Sequence, residues 1–117
     1  MEYQFEKLKI WQMGLNLVEE VYQTTKKLPE DEKFGLISQM RRASISIPSN
    51  IAEGKGRYHT KEFTQFLYIA RGSLFELMTL IKLACRLKYI APSREEELLT
   101  LCWDLSGGIN GMINSIK

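Results

Sequence analysis

Ser38-Gln39-Met40-Arg41-Arg42-Ala43-Ser44-Ile45-Ser46-Ile47-Pro48-Ser49-Asn50-Ile51-Ala52-Glu53-Gly54 decides the fold of this chain. The apolar residues recur with the period of an amphipathic helix, yet Pro48 sits near its middle. A proline inside a helix removes one backbone donor and crowds the preceding turn, at roughly 3 kcal/mol. Tertiary contacts must offset that cost, which marks the segment as a packing and interaction element. Ile37, Met40, Ser44, Ile47 and Ile51 make its core face. Ser38, Gln39, Arg42, Ser46, Ser49, Asn50, Glu53 and Arg57 make a polar stripe. Arg41 falls with Ile45, Pro48 and Ala52 on an apolar flank, either laying its stem over that surface or meeting Glu76 or Glu62 at a subunit interface.

Outward from this segment the chain reads as four helices and no strand. The first is expected over Phe5–Lys27, with Leu8, Trp11, Leu15, Val18, Tyr22 and Thr25 at three- and four-residue steps. The second runs from Asp31 or Lys33 to Lys55, ended by Gly54 and Gly56. The third follows an N-cap at Thr60 and reaches Lys88. The fourth opens at Pro92-Ser93, where Ser93 and Glu96 have capping-box spacing, and continues through Leu98, Leu101, Cys102, Leu105, Ile109, Met112 and Ile116. Short connections make consecutive helices antiparallel neighbours. The expected architecture is all-α: an antiparallel up-down-up-down four-helix bundle, one domain over residues 1–117.

Apolar surface exceeds what one bundle core absorbs. On the third helix Phe63, Leu67, Ala70, Leu74, Leu77, Met78, Ile81 and Cys85 form the core stripe. Ile69, Leu80, Leu83 and Leu87 form a second stripe, with Phe75 and Tyr68 on yet another side. The first helix has a similar surplus in Ile10, Met13, Leu17 and Val21. A helix apolar on two faces is buried on two faces, so Ile69, Leu80, Leu83 and Leu87 are expected at a homo-oligomer interface.

Net charge is only +2, from 16 Lys and Arg against 14 Asp and Glu, but it is unevenly spread. Residues 41–61 hold Arg41, Arg42, Lys55, Arg57 and Lys61 against Glu53. These five, with Arg71, are the candidate phosphate contacts of an RNA or DNA interface, and Tyr58 and His59 are available for stacking. Asn50, Glu53, Ser73 and Glu76 are the candidates for a buried polar network that fixes helix register. Trp11 and Trp103 read as packing anchors. Cys85 and Cys102 lie in apolar helical patterns and are expected as reduced thiols.

Chemistry is sparse. His59 is the single histidine, so no two-histidine metal site exists. No phosphate loop, dinucleotide fingerprint or nucleophile–base pair occurs. The expectation is a non-enzyme with no catalytic residue, no metal and no cofactor. The N-terminus lacks the apolar core of a signal peptide, and no apolar run spans a bilayer, so a cytoplasmic location without membrane contact is expected.

Three blocks carry a resemblance: Gly35 to Gly54, Phe66-Leu67-Tyr68-Ile69-Ala70-Arg71-Gly72-Ser73-Leu74-Phe75-Glu76-Leu77, and Phe5-Glu6-Lys7-Leu8-Lys9-Ile10-Trp11. The chain resembles the small bacterial four-helix-bundle family that includes the proteins encoded in intervening sequences of large-subunit ribosomal RNA genes. That resemblance implies a homopentamer. The family also includes the accessory protein of diversity-generating retroelements, which works with a reverse transcriptase and RNA. By analogy it implies nucleic-acid binding or a reverse-transcriptase-like protein partner. The alternative reading is a protein–protein scaffold with a polypeptide partner and no nucleic acid.

Overall fold

The computed structural model describes residues 1–117. Four helices run up, down, up and down: α1 (Lys9–Thr25), α2 (Leu36–Lys55), α3 (Thr60–Arg86) and α4 (Pro92–Ile116). Consecutive helices pack side by side and α4 closes on α1, leaving α1–α3 and α2–α4 as diagonals. Twenty-one buried apolar residues, twenty from the four helices and Leu28 from the α1–α2 connection, form one core in a bundle of 43 × 25 × 22 Å.

Helix boundaries follow local chemistry. A 3₁₀ turn at Gln4–Lys7 precedes α1, and Leu8 is extended between them, so α1 starts later than expected. A second 3₁₀ turn at Glu30–Glu32 precedes α2. Glu32 Oε1 accepts the Leu36 N–H at 3.0 Å, an anionic cap on the positive end of α2, while Glu32 Oε2 accepts the Tyr89 hydroxyl at 3.0 Å. One carboxylate thus ties the α1–α2 connection to the α3–α4 connection. The expected caps at Thr60 and Ser93 do not form. His59 and Ala91 occupy those positions, and neither helix start is capped by a side chain. Pro92 at the first helical position shifts α4 one residue early and carries Ser93 into the first turn. α3 ends with Lys88 at φ 67°, the Tyr89 N–H bonding the Ala84 carbonyl and the Lys88 N–H that of Cys85. That is a Schellman ending with lysine where glycine is usual.

Two glycines set the helix spacing. A Cβ on Gly14 would lie 3.2 Å from Pro48 Cβ, so α1 closes onto the ring that interrupts α2. A Cβ on Gly54 would lie 2.6 Å from Phe66 Cβ, so α2 and α3 nearly touch at their shared end. The buried proline is therefore a contact surface for α1, which is how packing offsets its local cost.

The phase of α1 differs from expectation. Ile10, Gly14, Leu17, Val21, Thr24 and Thr25 are buried, whereas Leu15 is exposed and Trp11, Val18 and Tyr22 are half-covered along the α1–α2 groove. Trp103 is 64% exposed and Leu101 is exposed, so neither belongs to the core. Trp11 does pack, edge-on to Phe5 at 5.3 Å.

Cys85 and Cys102 are both free thiols. Burial pushes the Cys102 thiol up to about 12. Burial raises Cys85 too, with the nearby Glu95 carboxylate adding to it. An unfolded thiol titrates at about 8.5. The folded value is the higher, so this contribution to stability is complete below that pH and declines as pH climbs toward 12. Urea midpoints are expected to fall between pH 8 and 10, at about pH values spanning the unfolded thiol, and less steeply in Cys102→Ala. A pH profile parallel to that of the wild type would contradict this.

Candidate nucleic-acid interface

The six candidate cations do not converge on one patch. Arg41 turns toward α1: its guanidinium lies 4.4 Å from the Tyr22 ring centre and its Nε donates to Thr25 Oγ1 at 2.8 Å. It meets neither Glu76 nor Glu62 within the protomer. Arg42 points outward beside Gln39, whose Oε1 accepts from Nη2 at 3.2 Å. Arg71 sits on the α3–α4 side, donating to Asn110 Oδ1 at 2.7 Å with its guanidinium 4.8 Å from the Tyr68 ring. Thirteen residues of helix, about 20 Å, separate Arg42 from Lys55.

Lys55, Arg57 and Lys61 do gather, at the end of the bundle where α2 turns into α3. The connector Gly56-Arg57-Tyr58-His59 is too short to leave the helix ends, so it holds these residues together. Lys55 Nζ lies 5.7 Å from the Phe63 ring centre, and the Arg57 guanidinium 4.8 Å from that of Phe66. Both cations thus rest on the phenyl rings that Gly54 admits. Arg57 also pairs with Glu53 at 2.9 Å, an exposed i,i+4 bridge worth a few tenths of a kcal/mol at most. Lys55 and Lys61 have no carboxylate partner. Tyr58 is 94% exposed and stands edge-on to His59 at 5.1 Å. The arrangement offers phosphate contacts around two unstacked aromatic rings.

The expected polar network forms in part. Asn50 Nδ2 donates to the Ser46 carbonyl at 2.7 Å and to Ser46 Oγ at 3.0 Å, and Ser46 Oγ meets Ser73 Oγ at 2.9 Å. Asn50 and Ser73 are therefore joined through Ser46, which ties α2 to α3 and sets their register. Glu53 and Glu76 stay outside the network and exposed. Glu53 lies on the outward ridge of α2, where Arg57 one turn on answers it, and no cation reaches Glu76. Ser46 had a sequence signal, its four-residue spacing from Asn50.

Of the second α3 stripe, Ile69, Leu83 and Leu87 are exposed, while Leu80 is half-buried against the core because it leans toward α2. No three His, Cys, Asp or Glu side chains come together as a metal would need, and no helix is long and apolar enough to cross a membrane.

Comparison with known proteins gives the lineage. A solved structure from Bacteroides thetaiotaomicron VPI-5482, described as a protein with unknown function from the S23 ribosomal protein family, superposes with a TM-score of 0.83. It is 22% identical, and the alignment covers 89% of this chain and 97% of that one, a likeness of fold. Comparison with curated proteins returns no match. The family profile described as 23S rRNA-intervening sequence protein matches residues 6–111. With that match across nearly the whole bundle, the chain belongs to the 23S rRNA-intervening sequence protein family.

Proposed function

We propose that this chain is a non-enzymatic, cytoplasmic accessory protein that self-associates and binds RNA or DNA through the α2–α3 end of the bundle. One observation carries the reading: exposed Tyr58 and His59 stand between Lys55, Arg57 and Lys61, two of which have no anionic partner. The first amides of α3 are left uncapped by any side chain at the same end, adding a positive helix terminus that suits phosphate. Self-association, as a pentamer by the family resemblance, would present several such ends at once and raise avidity without new contacts. The exposed Ile69, Leu83 and Leu87 support it.

A fluorescence-anisotropy titration with single-stranded RNA and DNA across salt tests the reading. Binding is expected to weaken steeply as salt rises, each neutralised phosphate adding about 0.7 to the log–log slope for a single strand. No binding at low ionic strength would remove the proposal. The scaffold alternative, with a polypeptide or reverse-transcriptase-like partner, draws on Phe34 and Trp103, which no element of the protomer covers. A pull-down that recovers protein but no nuclease-sensitive material would favour it.

A further inference from the structure

Two apolar faces of the bundle share α2, and they differ in shape. The first is a groove between α1 and α2, lined by Trp11, Leu15, Val18, Ile45, Pro48 and Ala52. Arg41 stands beside it, held over Tyr22, with no hydrogen bond or ion pair at either Nη. The second is a ridge on the α2 side of α3. At about 100° per residue, Ile69, Glu76, Leu80, Leu83 and Leu87 fall within about 60° of arc. Glu76 is exposed there and has no cation partner.

The two faces match in level along the bundle. Ser46 of α2 meets Ser73 of α3 and gives a common height. From it, Arg41 lies five residues toward the α2 start, about 7.5 Å, and Glu76 three residues the same way along antiparallel α3, about 4.5 Å. In the other direction Ile69 lies about 6 Å off, between Pro48 at about 3 Å and Ala52 at about 9 Å. Copies related by rotation about an axis along the bundle keep these heights. Ile69 of one copy then faces the floor of the next copy's groove, and Glu76 faces Arg41.

We infer that copies of this chain associate head to tail, the α3 ridge of one seated in the α1–α2 groove of the next, with Glu76 on Arg41. This rests on the self-association proposed above. A two-fold contact of ridge on ridge would bring Glu76 carboxylates together, and groove on groove would oppose Arg41 to Arg41 with nothing to fill the cleft. Only the unlike pairing answers both charges. Because the faces lie on neighbouring sides of the bundle and their levels match without an axial shift, repetition turns toward a closed ring rather than a filament. The edge they share is α2, so its polar ridge (Ser38, Gln39, Arg42, Ser49, Glu53) lies toward the ring centre.

Light scattering after size exclusion, with far-UV circular dichroism on the same fractions, tests this. Arg41→Glu and Glu76→Arg are each expected to reduce the assembly to the 13.6 kDa single chain with helicity kept. The double variant R41E/E76R is expected to reassemble. Ile69→Lys should also dissociate it. Should Arg41→Glu unfold, Glu76→Arg and Ile69→Lys, both at exposed positions, decide the matter. A wild-type assembly that survives both would overturn this interface and leave self-association standing. A folded double variant that stays single would overturn the Arg41–Glu76 pairing. A wild-type single chain at high micromolar concentration would overturn both proposals.

Discussion

Gly54→Ala is expected to lower the unfolding free energy by about 1–3 kcal/mol, the cost of overpacking a formed contact. In an unobstructed helix the same change stabilises by up to about 1 kcal/mol, since glycine is the poorer helix former. The sign reverses here because the new methyl would stand 2.6 Å from Phe66 Cβ and 3.0 Å from Phe63 Cδ1. Phe66 Cβ is fixed to the α3 backbone and cannot swing aside as a side-chain tip would, so α2 and α3 must part at this end. Gly107→Ala is the matched comparison. Gly107 lies inside α4 on its exposed side, away from the α3 ridge and the α1–α2 groove, with nothing within 4 Å of a new Cβ, so it should gain about 0.5–1 kcal/mol. Urea unfolding of the two variants should displace the midpoint in opposite directions. A Gly54→Ala protein as stable as Gly107→Ala would mean that the helices do not approach as closely as the structure has them.

The same contact explains how far the sequence could be read. Helix number, order and connection lengths followed from periodicity and the Gly and Pro positions. The core faces of α2 and α3 followed too: on α2 the opposite side is polar, and on α3 the core stripe is the longer and denser of two, and these stripes reach full burial at Ile47, Ile51, Leu67, Leu74 and Ile81. α1 was ambiguous because it carries two stripes of equal period. Periodicity identifies a stripe but not which one faces the core. Gly14 resolves this, because a glycine at a crossing point marks the side on which a neighbour comes close, and here that neighbour is Pro48. Trp103 misled for another reason: its size suggests burial, but α4 already fills its core side with Leu98, Cys102, Leu105 and Ile109. On the candidate interface, sequence proximity grouped Arg41 and Arg42 with Lys55. Adjacent residues on a helix diverge by about 100°, so Arg41 goes to α1 and Arg42 to solvent. Glu53 was legible in hindsight, as Glu followed by Arg four residues later is a favourable surface pair rather than a buried acid.

That dispersal makes a sharp expectation for binding. Charge reversal of the two unpaired lysines, Lys55→Glu with Lys61→Glu, should weaken RNA or DNA binding by about 100-fold or more at moderate salt, because two phosphate contacts become two repulsions. Repetition in an assembly multiplies the loss, since every copy's end is changed together. Both residues lie at the bundle end outside the ridge and groove invoked for association, so the oligomer should persist in the same variant. Arg71→Glu should change affinity by no more than about threefold, its guanidinium being occupied by Asn110 and Tyr68 on another face. Tyr58→Ala belongs between them: with the ring 94% exposed and no protein partner but His59, its loss removes one stacking platform, about 1–3 kcal/mol per base, without disturbing the core. Anisotropy at one fixed ionic strength ranks the three. Equal losses for Arg71→Glu and the lysine pair would mean that nucleic acid follows the charge of the whole surface, and the α2–α3 end would lose its claim to be the site.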